Sequence, residues 1–320
     1  MWSSQEEEQA VEEEKARDTA ATERKKSIGH KIMAVLEVII VRHVIYTLIA
    51  MGLLLFMYGT LDPEPFPLEA SYIVGSLWFV IPALMIFGLR RKPSNYGITT
   101  EKAPESIDLA FSAFPYFLLT FAGYVTLMIG GWSYLEPLGA LLMTGIFLLS
   151  TFLVARLIST KYNAFDEMKL PKEKHRNNVV VLIILLMFPI LLAVALDSLS
   201  VAVLHTVIWQ FIFSGFGEEI FFRGYIQSRL NQVFGRPYEW KSIQFGLGLF
   251  ITAALFAISH MFSIAGFLIG DFTVDWWYGT FTFVGGILFG LLREKTGSIV
   301  ASGTLHGLEA AGEGIAAVFG

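Results

Sequence analysis

Gly217-Glu218-Glu219-Ile220-Phe221-Phe222-Arg223-Gly224 lies inside a long apolar stretch and places two adjacent carboxylates and a guanidinium among hydrophobic side chains. An ionisable group at the centre of a membrane-spanning helix costs about 3 kcal/mol or more. Such groups are retained when they are paired, line a water-filled cavity or take part in a reaction. The stretch therefore predicts a buried polar site within a membrane-embedded helix.

The composition around this stretch is that of a membrane protein. The chain is 54% hydrophobic and only 16% charged. In soluble domains about a quarter of all residues are charged. Its apolar runs of about 17 to 25 residues are long enough to cross roughly 30 Å of hydrocarbon. We therefore predict an all-α fold, a polytopic membrane helical bundle of eight to nine transmembrane helices with a polar intramembrane cavity.

The apolar segments alternate with loops of different charge. Lys and Arg cluster before the first segment and after the second, fourth, sixth and eighth. By the positive-inside rule these ends face the cytoplasm, which predicts an integral protein of the cell membrane with a cytoplasmic N-terminus. An eight-span arrangement, with one segment along the membrane surface, stays open. The nine segments run at about 34–58, 70–89, 107–131, 136–158, 178–196, 200–233, 244–262, 276–292 and 298–319.

Polar interruptions suggest the division of the chain. We expect a charged cytoplasmic tail at 1–31, N-terminal transmembrane helices at 32–158, a cytoplasmic loop at 159–177 and a second transmembrane core at 178–320. This core carries nearly all the buried polar groups. Cysteine is absent, which excludes disulfides, thiolate metal sites and cysteine nucleophiles.

Helix geometry separates the two carboxylates. Glu219 and Arg223 are four residues apart on one face and can form an ion pair. Glu218 is rotated by about 100° from Glu219 and faces elsewhere, where it could act as a base on a bound water. An ion-pair network that only holds helices together is the alternative at this stage.

Two histidines in later apolar segments favour chemistry over packing. His260 and His306 lie on two further spans, and His260 is expected at the same height as Glu218, about 24 Å from the predicted cytoplasmic end. His306 is expected about 13 Å from that end. These heights predict a shared cavity that opens to the cytoplasm.

These residues, in this order, resemble the CPBP family, which comprises CAAX prenyl endopeptidases and bacteriocin-processing or immunity-type intramembrane proteases. The resemblance covers about 179–319 and rests on Glu218-Glu219-x-x-x-Arg223, Phe256-x-x-x-His260, the glycine-rich run from Phe283 to Ser298, and His306. It implies that Glu218 and His260 activate the attacking water. It also implies that Glu219 and Arg223 support the helix geometry and that His306 stabilises the oxyanion. The core at 178–320 is then a CPBP-like catalytic core.

One position departs from the family pattern. The last family motif is His-x-x-x-Asn, and the residue four after His306 is Ala310, which has no side-chain hydrogen-bond donor. Loss of one oxyanion donor typically costs about 100- to 1000-fold in turnover. Glu309 and Glu313 share a face with His306, but ionised carboxylates only accept hydrogen bonds.

The leading hypothesis is an intramembrane glutamate-type endopeptidase that cuts peptides near the cytoplasmic face, including CAAX-type prenylated proteins, without a cofactor. Its expected partners are a peptide or lipidated protein substrate and membrane lipid, and no nucleic acid. One alternative is a metal-dependent protease, since two carboxylates and two histidines suit Zn²⁺. Another is a non-catalytic immunity or scaffold protein, which the Ala310 departure favours.

Overall fold

The computed structural model describes residues 28–61, 67–262 and 264–319 and confirms an all-α membrane bundle. The charged tail up to residue 27 lies outside the described residues. So does most of the loop between the first two helices. In the described ranges the only sheet is a two-stranded hairpin of β1 (Tyr238–Trp240) and β2 (Ile243–Phe245), in which Glu239 pairs with Gln244.

The helices follow the predicted apolar segments, and many extend beyond them. Each begins or ends at polar or glycine-containing turns; for example, the first ends at Gly59, whose φ of 70° suits a residue without a side chain. The helices are α1 (Ile28–Tyr58), α2 (Leu68–Gly88), α3 (Ala103–Gly130), α4 (Pro137–Lys161), α5 (Lys172–Ala195), α6 (Val201–Phe234), α7 (Leu247–Met261), α8 (Ile264–Ile269), α9 (Trp276–Thr296), α10 (Val300–Gly307) and α11 (Glu309–Phe319).

Seven candidate membrane spans emerge from the described residues by length and composition. They are α1 to α6 and the segment Leu247–Ile269. Helix α9 is less apolar because it contains Gly and Thr residues and ends in Arg293, Glu294 and Lys295. It packs against α4, α7 and α10. The ninth predicted segment is broken at Leu308 into α10 and α11. The number of spans, eight or nine, stays a prediction.

Two apolar clusters fill the bundle. One joins α3, α4, α9 and α10, and the other joins α1, α2, α6 and α7. Their shared boundary lies where α6 faces α9 and α10. The polar residues of the family motifs lie along that boundary.

Glycines let the helices approach closely at this boundary. A Cβ atom on Gly215 of α6 would lie 2.5 Å from the Cα of Gly307 in α10. A Cβ on Gly286 of α9 would lie 3.0 Å from the Cα of Ala253 in α7. The close packing expected of these small residues is therefore present. It brings His306, the neighbour of Gly307, against α6.

Buried and partly buried polar contacts join the helices at the end of the bundle that carries the basic loops. The carboxylate of Glu294 in α9 accepts hydrogen bonds from the amides of Gln227 and Asn231, at 2.7 and 2.6 Å. The Arg236 guanidinium pairs with the same carboxylate at 2.7 Å. Glu37 of α1 accepts hydrogen bonds from Arg91 and Arg229, at 2.7 and 2.8 Å. These contacts join α1, α6 and α9 at the end of the bundle that carries the basic loops.

Candidate active site

The centre of the site is the predicted ion pair between Glu219 and Arg223. The Arg223 guanidinium donates to Oε1 of Glu219 at 2.6 Å, and both side chains are fully buried. It also donates to the backbone oxygen of Gly286 at 3.2 Å and lies 4.5 Å from the centre of the Phe256 ring. The pair therefore holds α6 to α7 and α9.

His306 belongs to the same network. Its Nδ1 lies 3.3 Å from Oε1 of Glu219, and its ring stacks on Phe289 with centres 4.5 Å apart. Because an ionised carboxylate only accepts, Nδ1 carries the hydrogen and Nε2 faces the other way. Nε2 lies 3.5 Å from the Ser214 hydroxyl and 4.0 Å from a carboxylate oxygen of Glu309.

His260 lies near the end of α7. Its Nδ1 lies 2.8 Å from the backbone oxygen of Phe256, which accepts a hydrogen bond from it. The edge of the ring meets the ring of Tyr278, with centres 5.4 Å apart and an interplanar angle of 89°. With the hydrogen on Nδ1, Nε2 is available to accept a proton or a hydrogen bond.

Glu218 turns away from the ion pair, as helix geometry predicts. It is 8% exposed and lines a cavity of about 190 Å³ together with His260 and His306. A cavity of this size with several polar groups has room for water. The three side chains from α6, α7 and α10 thus share one cavity. The remaining lining residues are Phe147, Gln210, Ser214, Phe256, Tyr278, Phe281, Thr282, Gly285, Phe289, Glu309 and Glu313.

The helix that carries the acids has an unusual form around them. Wide π-helical turns run over Trp209–Glu218 and Ile220–Gln227, on both sides of Glu219. Such turns are rare and occur frequently at functional sites. Gln210, Ser214 and Glu218, which are four residues apart within these turns, all line the cavity.

The cavity lies on the side of the ion pair away from the basic loops. Apart from Phe289, its lining residues on α9 belong to the half that begins at Trp276, whereas Arg293 and Lys295 are at the other end. Its rim includes the exposed Glu313, while Arg223 and Gln227 on the opposite side are fully buried. The opening toward the cytoplasm stays a prediction; the structure places the cavity at the end of the bundle opposite the basic loops.

Ala310 does not reach the cavity. The helix breaks at Leu308, and Ala310 is fully buried among neighbouring helices. The residues of α11 that line the cavity are Glu309 and Glu313. The Gln210 amide donates to Glu313 at the rim. The position that carries Asn in the family motif therefore supplies no group to this site.

Sequence reasoning missed Gln210, Ser214 and Tyr278. Tyr278 follows Trp276 and Trp277 in the sequence, a run that is typical of the membrane interface, but its ring lines the cavity and contacts His260. The positions of Ser214 and Gln210, four and eight residues before Glu218, were a signal for a shared helix face. No pattern in the sequence identified Tyr278, because its place depends on how α9 packs against α7.

A metal-dependent protease would need several His, Asp or Glu side chains close together. Within residues 28–61, 67–262 and 264–319, no three His, Asp or Glu side chains cluster closely enough to hold a metal ion. Glu219 is engaged by Arg223 and His306, and Glu218 faces elsewhere.

Comparison with known proteins agrees with the motifs. Residues 200–311, about a third of the chain, match the family described as type II CAAX prenyl endopeptidase Rce1-like. Neither a curated protein nor a solved structure matches the chain. The matched segment contains α6, α7, α9 and α10 and therefore every side chain of the ion pair and both histidines. The similarity of this segment supports an intramembrane protease function of the CAAX type.

Proposed function

We propose that this protein is an intramembrane endopeptidase in which Glu218, assisted by His260, activates water for attack on a peptide bond. The observation that carries the proposal is the convergence of Glu218, His260 and His306 on one cavity. Glu218 makes no hydrogen bond to another described residue, so its carboxylate can bind and deprotonate a water. His260 Nε2 can share that proton.

The neighbouring groups have supporting roles. Glu219 and Arg223 hold α6 against α7 and α9, which keeps Glu218 directed at the cavity. His306, with Nδ1 bonded to Glu219, presents Nε2 to the cavity. When Nε2 is protonated, it can donate to the developing oxyanion. The reaction needs no metal or cofactor in this scheme.

The substrate is a peptide or a lipidated protein that reaches the cavity from the membrane. The family description makes a prenylated C-terminal peptide the first substrate to test. The basic loops favour a cell-membrane protein with its N-terminus in the cytoplasm. In that orientation the reacting bond lies in the half of the membrane away from the cytoplasm, since the cavity lies on that side of Glu219 and Arg223.

The direct test uses the purified full-length protein in detergent with an internally quenched farnesylated CAAX peptide. Glu218→Gln and His260→Ala should each abolish cleavage without loss of folding. Matched controls are Glu69→Gln, at an exposed position, and His205→Ala, a histidine of α6 that packs on Tyr72 outside the cavity. Both controls should cleave normally. Cleavage by Glu218→Gln at the wild-type rate would refute the proposal, and loss of activity with a chelator would refute the metal-free scheme.

A non-catalytic immunity or scaffold role is the second candidate. It is favoured by Ala310, since the residue at the motif's Asn position is buried outside the cavity. A wild-type protein that cleaves neither prenylated nor unmodified peptides would support this role.

A further inference from the structure

The cavity is lined by three hydroxyl groups that the scheme above does not use, on Ser214, Tyr278 and Thr282. Tyr278, close to the start of α9, lines the cavity, and its hydroxyl has no hydrogen-bond partner among the described residues. A phenol hydroxyl is a hydrogen-bond donor, and a half-buried one normally finds a partner. We propose that the Tyr278 hydroxyl donates the hydrogen bond to the oxyanion that the family motif assigns to Asn. This inference rests on the proposed function.

The other uncharged donors of the cavity are engaged elsewhere. The Thr282 hydroxyl donates to the backbone oxygen of Tyr278 at 2.9 Å. The Ser214 hydroxyl lies 3.5 Å from Nε2 of His306 and donates to it whenever that nitrogen is unprotonated. The Gln210 amide donates to Glu313 at the exposed rim. Tyr278 is therefore the donor that a bound carbonyl oxygen can take without breaking an existing hydrogen bond.

Aromatic neighbours hold the Tyr278 ring in place. It meets His260 edge to face at 5.4 Å, Phe281 at 5.2 Å and Tyr134 at 5.9 Å between ring centres. A donor fixed before the reaction needs no reorganisation when charge develops, which is the condition for effective oxyanion stabilisation. The contact with His260 places the phenol beside the residue that shares the water's proton.

The step can be written with its atoms balanced. Glu218 takes a proton from water, and the hydroxide oxygen bonds to the peptide carbonyl carbon while the carbonyl π electrons move to oxygen. Tyr278 donates a hydrogen bond to that oxygen and keeps its own proton. The carbon–nitrogen bond then breaks, the carbonyl reforms, and the departing amine takes the proton held by Glu218.

Tyr278→Phe is the clean test, because it removes the hydroxyl and keeps the ring packed on His260. With the internally quenched farnesylated peptide, we expect kcat to fall about 100- to 1000-fold with KM unchanged. A peptidyl phosphonate of the same sequence, which mimics the tetrahedral intermediate, should bind the variant more weakly by a similar factor. Binding of the uncleaved peptide should be the same in Glu218→Gln and in Glu218→Gln/Tyr278→Phe.

Tyr134→Phe is the matched control. Tyr134 packs on the same ring but does not line the cavity, so its variant should keep the wild-type kcat. Wild-type turnover by Tyr278→Phe, or an equal loss in both variants, would overturn the assignment while leaving the roles of Glu218 and His260 intact. Absence of any Glu218-dependent cleavage by the wild type would overturn both proposals.

Discussion

Nδ1 of His306 lies 3.3 Å from Oε1 of Glu219, the same oxygen that accepts the 2.6 Å hydrogen bond from Arg223. One buried carboxylate oxygen thus connects the histidine of α10 to the arginine of α6. It sets the orientation of the imidazole, so that Nε2 points to the cavity. The second acid of the Glu-Glu pair therefore connects α6 to α10, and the first acid lines the cavity.

Glu219→Gln should destabilise the protein. The change leaves the guanidinium of Arg223 fully buried without its charged partner, and breaking a buried pair in this way costs about 3 kcal/mol or more. Thermal or denaturant unfolding in detergent measures the change in stability. The exposed Glu69→Gln should shift stability by less than about 0.5 kcal/mol. Equal stability of Glu219→Gln and the wild type would contradict the central role of the pair.

Gly215→Ala should reduce activity by displacing α10. The new methyl group would lie 2.5 Å from the Cα of Gly307 and 2.8 Å from its nitrogen, so the helices must separate. Overpacking of this kind costs about 1–3 kcal/mol, and a shift of about 1 Å in His306 can lower turnover about 100-fold. The matched control is Gly145→Ala in α4, where a Cβ meets nothing within 4 Å. Normal turnover by Gly215→Ala would show that this contact does not position His306.

Ala310→Asn should not increase activity. Ala310 is fully buried outside the cavity, so an amide there would lack a route to the substrate and would be overpacked. We expect a loss of stability of about 1–3 kcal/mol and no gain in kcat. Peptide cleavage and unfolding of the same preparation test both expectations. A large rise in kcat would place residue 310 at the reacting carbonyl.

The orientation of the cavity can be tested by cysteine labelling, because the chain contains no cysteine of its own. Glu313→Cys lies at the exposed rim, and Lys241→Cys lies in the turn of the hairpin at the basic end. A membrane-impermeant maleimide added to intact cells should label the first and spare the second until the cells are opened. The reverse labelling pattern would place the cavity on the cytoplasmic side.

Much of the fold was predictable from local composition. Apolar runs marked α1 to α7 and α9, because a helix must satisfy its own backbone hydrogen bonds in lipid. The ion pair of Glu219 and Arg223 followed from their spacing on one helix. The break at Leu308 was not predictable, since the sequence from Ser298 to Gly320 contains no proline and α10 packs against the distant helix α6.

Some residues of the cavity could be identified from the sequence, and others could not. Glu218, His260 and His306 stood out because ionisable side chains are costly in lipid, and that cost acts on each residue wherever its helix packs. Tyr278 did not stand out, because a tyrosine near a helix end is usual at a membrane interface.

The amino-acid sequence by itself determined the membrane-embedded helices, the family motifs and the buried ionisable groups, because hydrophobicity and helical spacing are local properties. Only the tertiary structure decided which side of the ion pair holds the cavity, that Ala310 stays outside it and that Tyr278 lies within it. These outcomes depend on contacts between helices that are distant in the chain, such as the close approach of Gly215 to Gly307. The sequence of one helix alone does not determine such a contact.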